Sequence, residues 1–342
     1  MGTTVGWGIL GTGAIARTFA AGVAGSKTGR VVAVGSRSAQ EAAQFAASRP
    51  GVRPYEGYAG VLADPEVDVV YIALPHILHA EWAARAAAAG KHVLCEKPLA
   101  LNHQQAQAVV EAARQHGVFL MEAYMYRCHP QTARIVELVR SGAIGELRLI
   151  EASFSFDGQS RAGRRLFTRE LGGGAILDVG GYCTSMVRLL AGAARQQQGT
   201  VEPLSIQATG HIGDRSGVDE YAAALLTFPG DICAQLWTGI TVERDNSLRI
   251  YGSEGAITVP DPWTPASAGG TVRIVVRRSG VDEDDAIEIA SERGLYALEA
   301  DAVAAHLTAR EAPIMPWSDT LGNMLSLDRW RAAIGMAYDE EG

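Results

Sequence analysis

The sequence predicts an α/β chain in two parts: an N-terminal Rossmann doubly wound parallel sheet, then a C-terminal α+β part with a large, mostly antiparallel open sheet. Three observations carry this. Strand-like and helix-like segments alternate over the first third of the chain. A glycine fingerprint joins the first strand directly to the first helix. After about residue 123 the alternation gives way to consecutive strand-like runs at short spacing.

In the first part, residues 5–10 form a short apolar run that ends in glycine, and 14–24 read as a helix. Strands follow at 31–35, 67–74, 92–95 and 118–122, with helices at 40–48, 77–89 and 102–116; Gly90 stops the second of these and Asn102 caps the third. Continuous apolar strands separated by helices imply a parallel sheet covered on both faces. In the second part a helix at 131–141 precedes a long alternating strand at 146–157. Further strands are expected at 205–211, 221–228, 232–240, 247–251 and 271–277, and two helices, at about 295–309 and 320–337, close the chain. The segments 191–200 and 260–270, rich in Gly, Gln, Pro and Ser, read as surface loops. The expected division is a dinucleotide part over 1–123 and a substrate-binding and oligomerisation part over 124–342.

Composition narrows the function. The chain has 342 residues, 47% of them hydrophobic and 20% charged, which suits packed cores and argues against disorder. A net charge of -8 disfavours nucleic acid or an anionic membrane as partner and suits a small molecule. The start MGTTVGWGIL has no basic segment of an export signal, and no apolar run is long enough to span a bilayer, so a cytoplasmic location is expected. Cys95, Cys128, Cys183 and Cys233 form no CxxC pair. His76 and His79 are three apart, but no third ligand cluster accompanies them, and no metal is assigned. Neither a Ser-His-Asp arrangement nor a GxSxG elbow is present.

The fingerprint is Gly11-Thr12-Gly13-Ala14-Ile15-Ala16. Gly11 permits the tight turn, Gly13 lets backbone approach a pyrophosphate, and Ala16 lets helix and strand pack closely. The diphosphate would sit on the helix N-terminus, where free N–H groups and the helix dipole favour an anion. At the end of the second strand stand Gly35-Ser36-Arg37-Ser38, where an NAD site commonly places a carboxylate on the ribose 2′-OH. A hydroxyl and a guanidinium there suit a 2′-phosphate, so NADP is expected ahead of NAD. An Arg37 stacked on adenine or pointing into water is the alternative.

Five stretches then carry a family resemblance: residues 8–16, ALPHILH at 73–79, GKHVLCEKP at 90–98, MEAYMYRCHP at 121–130 and LGGGAILDVGGY at 171–182. The chain resembles the glucose–fructose oxidoreductase, inositol dehydrogenase and rhizopine-catabolism (Gfo/Idh/MocA) oxidoreductases over nearly its whole length. The resemblance implies that Lys97 of Glu96-Lys97-Pro98 is catalytic, next to a Lys-Pro bond often cis in the family. It implies a second element after Gly172-Gly173-Gly174, where Asp178 and Tyr182, four apart, share one helical face. The family more commonly has His where this chain has Tyr182. Tyrosine there is similar to glucose–fructose oxidoreductase and to the branch of dimeric dihydrodiol dehydrogenase and NADP-dependent D-xylose dehydrogenase. Leu74, His79, Glu96 and Lys97 are expected around the cofactor, and Lys97, Arg127, Asp178 and Tyr182 around the substrate. The basic run Arg161, Arg164 and Arg165 reads as a solvated loop, with an approach to cofactor phosphates or substrate as the alternative.

The expected function is hydride transfer between nicotinamide and a sugar or polyol, as in an aldose 1-dehydrogenase of the D-xylose type. Tyr182 would be the general base, Lys97 would support its anion, and Asp178 would orient a second hydroxyl. Alternatives are trans-1,2-dihydrodiol dehydrogenase, a glucose–fructose-type oxidoreductase, and a non-catalytic NADP-binding sensor. An open apolar sheet face predicts a homodimer or homotetramer formed sheet to sheet.

Overall fold

The computed structural model of the chain describes residues 4–159 and 164–338. The first strand, β1 (Val5–Leu10), is buried at every position, as a strand covered on both faces must be. It leads into α1 (Ala14–Ala24), whose buried Ala16, Phe19, Ala20 and Val23 recur at helical spacing. The series continues with β2 (Gly29–Ser36), α2 (Ala39–Ala47), β3 (Arg53–Glu56), α3 (Ala59–Ala63) and β4 (Val69–Ile72). A 3₁₀ turn, His76–Leu78, then enters α4 (His79–Ala88), followed by β5 (His92–Glu96), α5 (His103–His116) and β6 (Leu120–Ala123). Asn102 caps α5 by accepting from the Gln105 amide at 2.9 Å, and Gly117 ends it with φ 67°. The six strands pair in parallel in the order β3-β2-β1-β4-β5-β6. The order reverses between β1 and β4, which opens a crevice at the carboxyl ends of those strands.

The second part begins with α6 (Pro130–Arg140) and β7 (Leu147–Ser155), then α7 (Gly181–Ala194). It continues through β8 (Ser205–Ile212), β9 (Asp219–Phe228), β10 (Ile232–Gly239), β11 (Leu248–Gly252), β12 (Gly255–Val259), β13 (Gly270–Arg278) and β14 (Asp285–Ser291), and closes with α8 (Leu295–His306) and α9 (Trp317–Ala333). The sheet order is β14-β13-β12-β11-β7-β10-β9-β8. All neighbours are antiparallel except β7 and β10, which run in parallel at the centre. Strand β9 shows the one-sided pattern in its alternating burial.

Four elements differ from expectation. The strands β3, β12 and β14 and the short α3 are not among the expected elements: β3 and β14 bury alternate residues only partly, and β12 and α3 are only five residues long. The segment 191–200 is not all loop: α7 runs to Ala194 and buries Ala191, Gly192 and Ala193. Nor is 260–270 wholly on the surface. Trp263 is 1% exposed, and its indole donates to the Ser153 carbonyl at 2.8 Å. Finally, α8 packs on α1, so the end of the chain returns to the first sheet's layer.

Candidate functional site

The cofactor crevice is built from strand ends. Gly11 has φ 103°, and a Cβ there would fall on the Ala73 carbonyl, so the turn after β1 requires glycine. At Gly13 a Cβ would meet nothing within 4 Å. That open space, above a helix N-terminus with no side-chain cap, fits a diphosphate on the amides of Ala14 and Ile15. Thr12 and Ser36 meet at 3.5 Å between hydroxyls, and Ser36 also accepts from the Ser38 amide at 3.4 Å. Arg37 is exposed beside them, next to Tyr58. This corner offers hydroxyls and one guanidinium with the N-terminus of α2, a donor set that fits a phosphate. Leu74 lines the same end of the sheet, 8% exposed.

At the end of β5, Lys97 precedes Pro98 through a cis bond. Its Nζ donates to the Asp178 carbonyl at 2.5 Å and lies 3.8 Å from Asp178 Oδ1. It also sits 5.2 Å from the centre of the Tyr182 ring. Lys97, Asp178 and Tyr182 are therefore brought together from sequence positions far apart. Behind them Glu96 accepts a short hydrogen bond from Tyr71, and burial pushes its carboxyl up.

Asp178 and Tyr182 do not ride on one regular helix. Residues Ile176–Gly180 form a π turn, closed by the Gly181 amide on the Ile176 carbonyl, and α7 begins only after it. The triple glycine before it is tightly packed. A Cβ on Gly173 would lie 2.5 Å from the Leu166 carbonyl oxygen, and one on Gly174 would fall on Asp219.

Burial pushes the Asp178 carboxyl up, but Lys97 and Arg165 outweigh it and hold it well below the usual carboxylate range. Arg165 donates to Asp178 Oδ1 at 2.6 Å. Its other nitrogen lies 2.7 Å from His76 Nε2. A guanidinium only donates, so Nε2 accepts; the ring proton is then on Nδ1 and is donated to the Gly172 carbonyl at 2.7 Å. Burial, then Arg165, also pushes His76 well down, which agrees with this neutral tautomer. Arg165 is thus a site residue rather than a solvated one. Arg161 lies outside the described residues, as does the side chain of Arg164.

Tyr182 is 5% exposed, among Tyr124, Tyr126, Phe154 and Trp263 at ring separations of 5.0 to 6.0 Å. Its hydroxyl faces Met125 Sδ at 3.4 Å. Burial, with Tyr296 and Glu96 beside it, pushes the phenol well above its ordinary value. Lys97 Nζ lies over the Tyr182 ring. In the protein without cofactor the phenol is thus held in its protonated form.

Two expected contacts are corrected. The Arg127 guanidinium is committed elsewhere: it pairs with buried Asp319 at 2.5 Å, donates to Ser185 Oγ at 2.9 Å and to the Ile314 carbonyl at 3.2 Å. It braces α7 against α9, and its side chain is only 4% exposed. His79 is fully buried, its ring nitrogens 2.7 Å from the Pro98 carbonyl and 2.8 Å from that of Leu74. It supports the cofactor loop from behind instead of facing the cofactor. Sequence reasoning missed the aromatic wall, because Phe154 and Trp263 reach Tyr182 from β7 and from a loop read as surface.

Residues 5–124 match the family described as "Oxidoreductase family, NAD-binding Rossmann fold", and residues 132–258 match the GFO/IDH/MocA C-terminal domain. The chain belongs to the Gfo/Idh/MocA oxidoreductases. A trans-1,2-dihydrobenzene-1,2-diol dehydrogenase of Danio rerio is 36% identical, over 76% of this chain and 76% of its own. The structure of a 3-ketoreductase from Actinomadura kijaniata, in complex with NADP and TDP-benzene, superimposes with a TM-score of 0.85 at 30% identity, covering 97% of this chain and 98% of that one. An aldose-aldose oxidoreductase from Caulobacter crescentus, complexed with glycerol, gives 0.84 at 25% identity over 96% and 97%. This Gfo/Idh/MocA chain is therefore an NAD(P)-dependent oxidoreductase. Among its described residues no helix is long and apolar enough to cross a membrane.

Proposed function

We propose that this oxidoreductase uses NADP and interconverts a hydroxyl and a carbonyl on a sugar or polyol, as an aldose 1-dehydrogenase of the D-xylose type. The observation that carries the reading is the meeting of Lys97, Asp178 and Tyr182 at the mouth of the dinucleotide crevice. A sensor has no use for such a set. Ser36, Arg37 and the N-terminus of α2 would hold the 2′-phosphate, and the Gly11–Ile15 turn the diphosphate. The bound cofactor supplies or accepts the hydride at its nicotinamide ring.

In reduction, Tyr182 would donate its hydroxyl proton to the substrate oxygen as that carbon becomes an alcohol, and Lys97 would hydrogen-bond the same oxygen. In oxidation the phenolate would take the proton back. Asp178, kept ionised, would accept from a neighbouring substrate hydroxyl and fix which carbon faces the cofactor. The raised phenol favours the proton-donating role in the resting protein. A second reading, a cyclic trans-diol as substrate, is favoured by Phe154, which stands partly open beside Tyr182 at 5.0 Å.

The test is the absorbance of reduced nicotinamide with pentoses, hexoses, inositols, sugar ketones and cyclic diols, each with NADP and NAD in both directions. Turnover of an aldose ahead of the diols supports the first reading, and the reverse order supports the second. No turnover of any, with NADP bound, would return the chain to the sensor alternative.

A further inference from the structure

The stretch from Gly172 to Tyr182 delivers both reactive side chains of the C-terminal part, and its backbone is held from several directions. His76 donates to the Gly172 carbonyl at 2.7 Å, Tyr338 donates to that of Gly173, and Thr238 donates to that of Ala175 at 3.1 Å. The amide that opens the π turn is held by a carboxyl group: Ile176 N–H donates to Asp219 Oδ2 at 2.6 Å. The Ala175 amide adds to this contact.

Asp219 is the first residue of β9 and is fully buried. Its second oxygen, Oδ1, has no hydrogen-bond partner among the described residues and occupies the place where a Cβ on Gly174 would lie. Gly174, with φ 112°, is thus required both by its backbone and by the approach of Asp219. A buried carboxyl with one orphaned oxygen is a costly way to hold the opening of a turn. Its cost is understandable if the position of that amide matters.

A π turn is a rare local widening of a helix and needs pinning to persist. Its start decides the direction of every side chain after it. We propose that Asp219 is a positioning residue for the reaction: by fixing Ile176 it sets the start of the wide turn, and so holds Asp178 and Tyr182 in register against Lys97. This rests on the reading of Asp178 and Tyr182 given above.

The experiment compares Asp219→Asn, which keeps an acceptor for the Ile176 amide, with Asp219→Ala, which removes it. The Ala variant should lose roughly 100-fold in kcat, as expected for reacting groups misplaced by about 1 Å. Its affinity for NADPH should stay within about twofold, because the groups that hold the cofactor are intact, while the substrate KM should rise as Asp178 is displaced with Tyr182. The Asn variant should retain most of the turnover. Hydrogen exchange at 176–182, which needs no substrate, should rise in the Ala variant and not in the Asn variant. If Asp219→Ala does not fold, Asp219→Ser replaces it, since its shorter hydroxyl stays polar without reaching Ile176. Full turnover and unchanged exchange in the Ala or Ser variant overturn the proposal, as does an Asn variant that folds and fails. A wild-type protein inactive on every substrate tried defeats the functional reading instead, and the exchange comparison still decides whether Asp219 pins the turn.

Discussion

Arg165 and Asp178 form an ion pair at 2.6 Å that ties the segment before the triple glycine to the π turn. With Lys97 this cation holds Asp178 ionised against its burial. A carboxyl depressed in the folded state contributes stability that is present above its unfolded pKa and is lost as pH falls through the folded one. Arg165→Gln should raise the folded pKa of Asp178. The acid limb of kcat/KM should then move to higher pH, and acid unfolding should begin at higher pH. An acid limb that stays in place would show that Asp178 is not the group titrating there.

Removing the reacting groups should be more drastic. Tyr182→Phe deletes only a hydroxyl and Lys97→Met only a charge, and each should lower kcat by roughly 10²–10⁴-fold. NADPH affinity should hardly change for Tyr182→Phe. If the two act as a unit, the double variant is scarcely worse than the poorer single one. Near-full turnover by Tyr182→Phe would point to Lys97 itself as the proton carrier.

Cofactor choice is tested at the end of β2. Arg37→Asp places a carboxylate where Ser36 and Arg37 would meet the 2′-phosphate, so the preference for NADP over NAD should fall or reverse. Ratios of kcat/KM with the two cofactors measure it. An unchanged ratio would remove this corner from the cofactor site.

Arg127 should behave as a structural residue. Arg127→Met leaves Asp319 buried with one of its two arginines gone, the other being Arg188 at 2.7 Å. Breaking a buried pair this way costs about 3–5 kcal/mol. Denaturant unfolding should show the loss, while the substrate KM of the folded enzyme stays put. A raised KM with undiminished stability would restore Arg127 to the substrate pocket.

The outer face of the C-terminal sheet carries stacked His211, Tyr221 and Trp237, with Arg244 over the last and Leu225 57% exposed nearby. We expect two copies to cover it sheet to sheet. Light scattering should give a dimer or tetramer at micromolar concentration, and Leu225→Arg should weaken it. A wild-type monomer would refute the expectation.

Much of this molecule is legible in its sequence because local patterns and global fold agree. The first helix, 14–24, was bounded to the residue by glycine on both sides. The cofactor turn and the strand before Lys97 follow from alternation and spacing, whereas Lys97 itself is singled out by the family resemblance. What escaped has physical reasons. Strand β14 is an edge strand whose exposed charges hide its pairing, and β3 is four residues long. The π turn has no sequence signature, because it is imposed by Asp219, Thr238 and Tyr338 from distant strands and the chain end. Arg165 looked like one of three solvated arginines; only its partners, His76 and Asp178, distinguish it.

The parallel pairing of β7 with β10 has a consequence for how the chain is assembled as it is made. The partners are joined through Cys233 and Leu149, 84 positions apart, and everything between them must be synthesised before that contact can form. The later strands, by contrast, join their neighbours through short connections: β8 to β10 on one side, β11 to β14 on the other. Two ribbons can therefore form early from local contacts, while β7 waits with both edges unpaired and then seams them together. Such long-range closure is slow and leaves strand edges exposed in the meantime. The newly made chain is most exposed to aggregation between the emergence of β7 and that of β11, whereas all six strands of the N-terminal sheet have already been made and lack only the cover that α8 brings later.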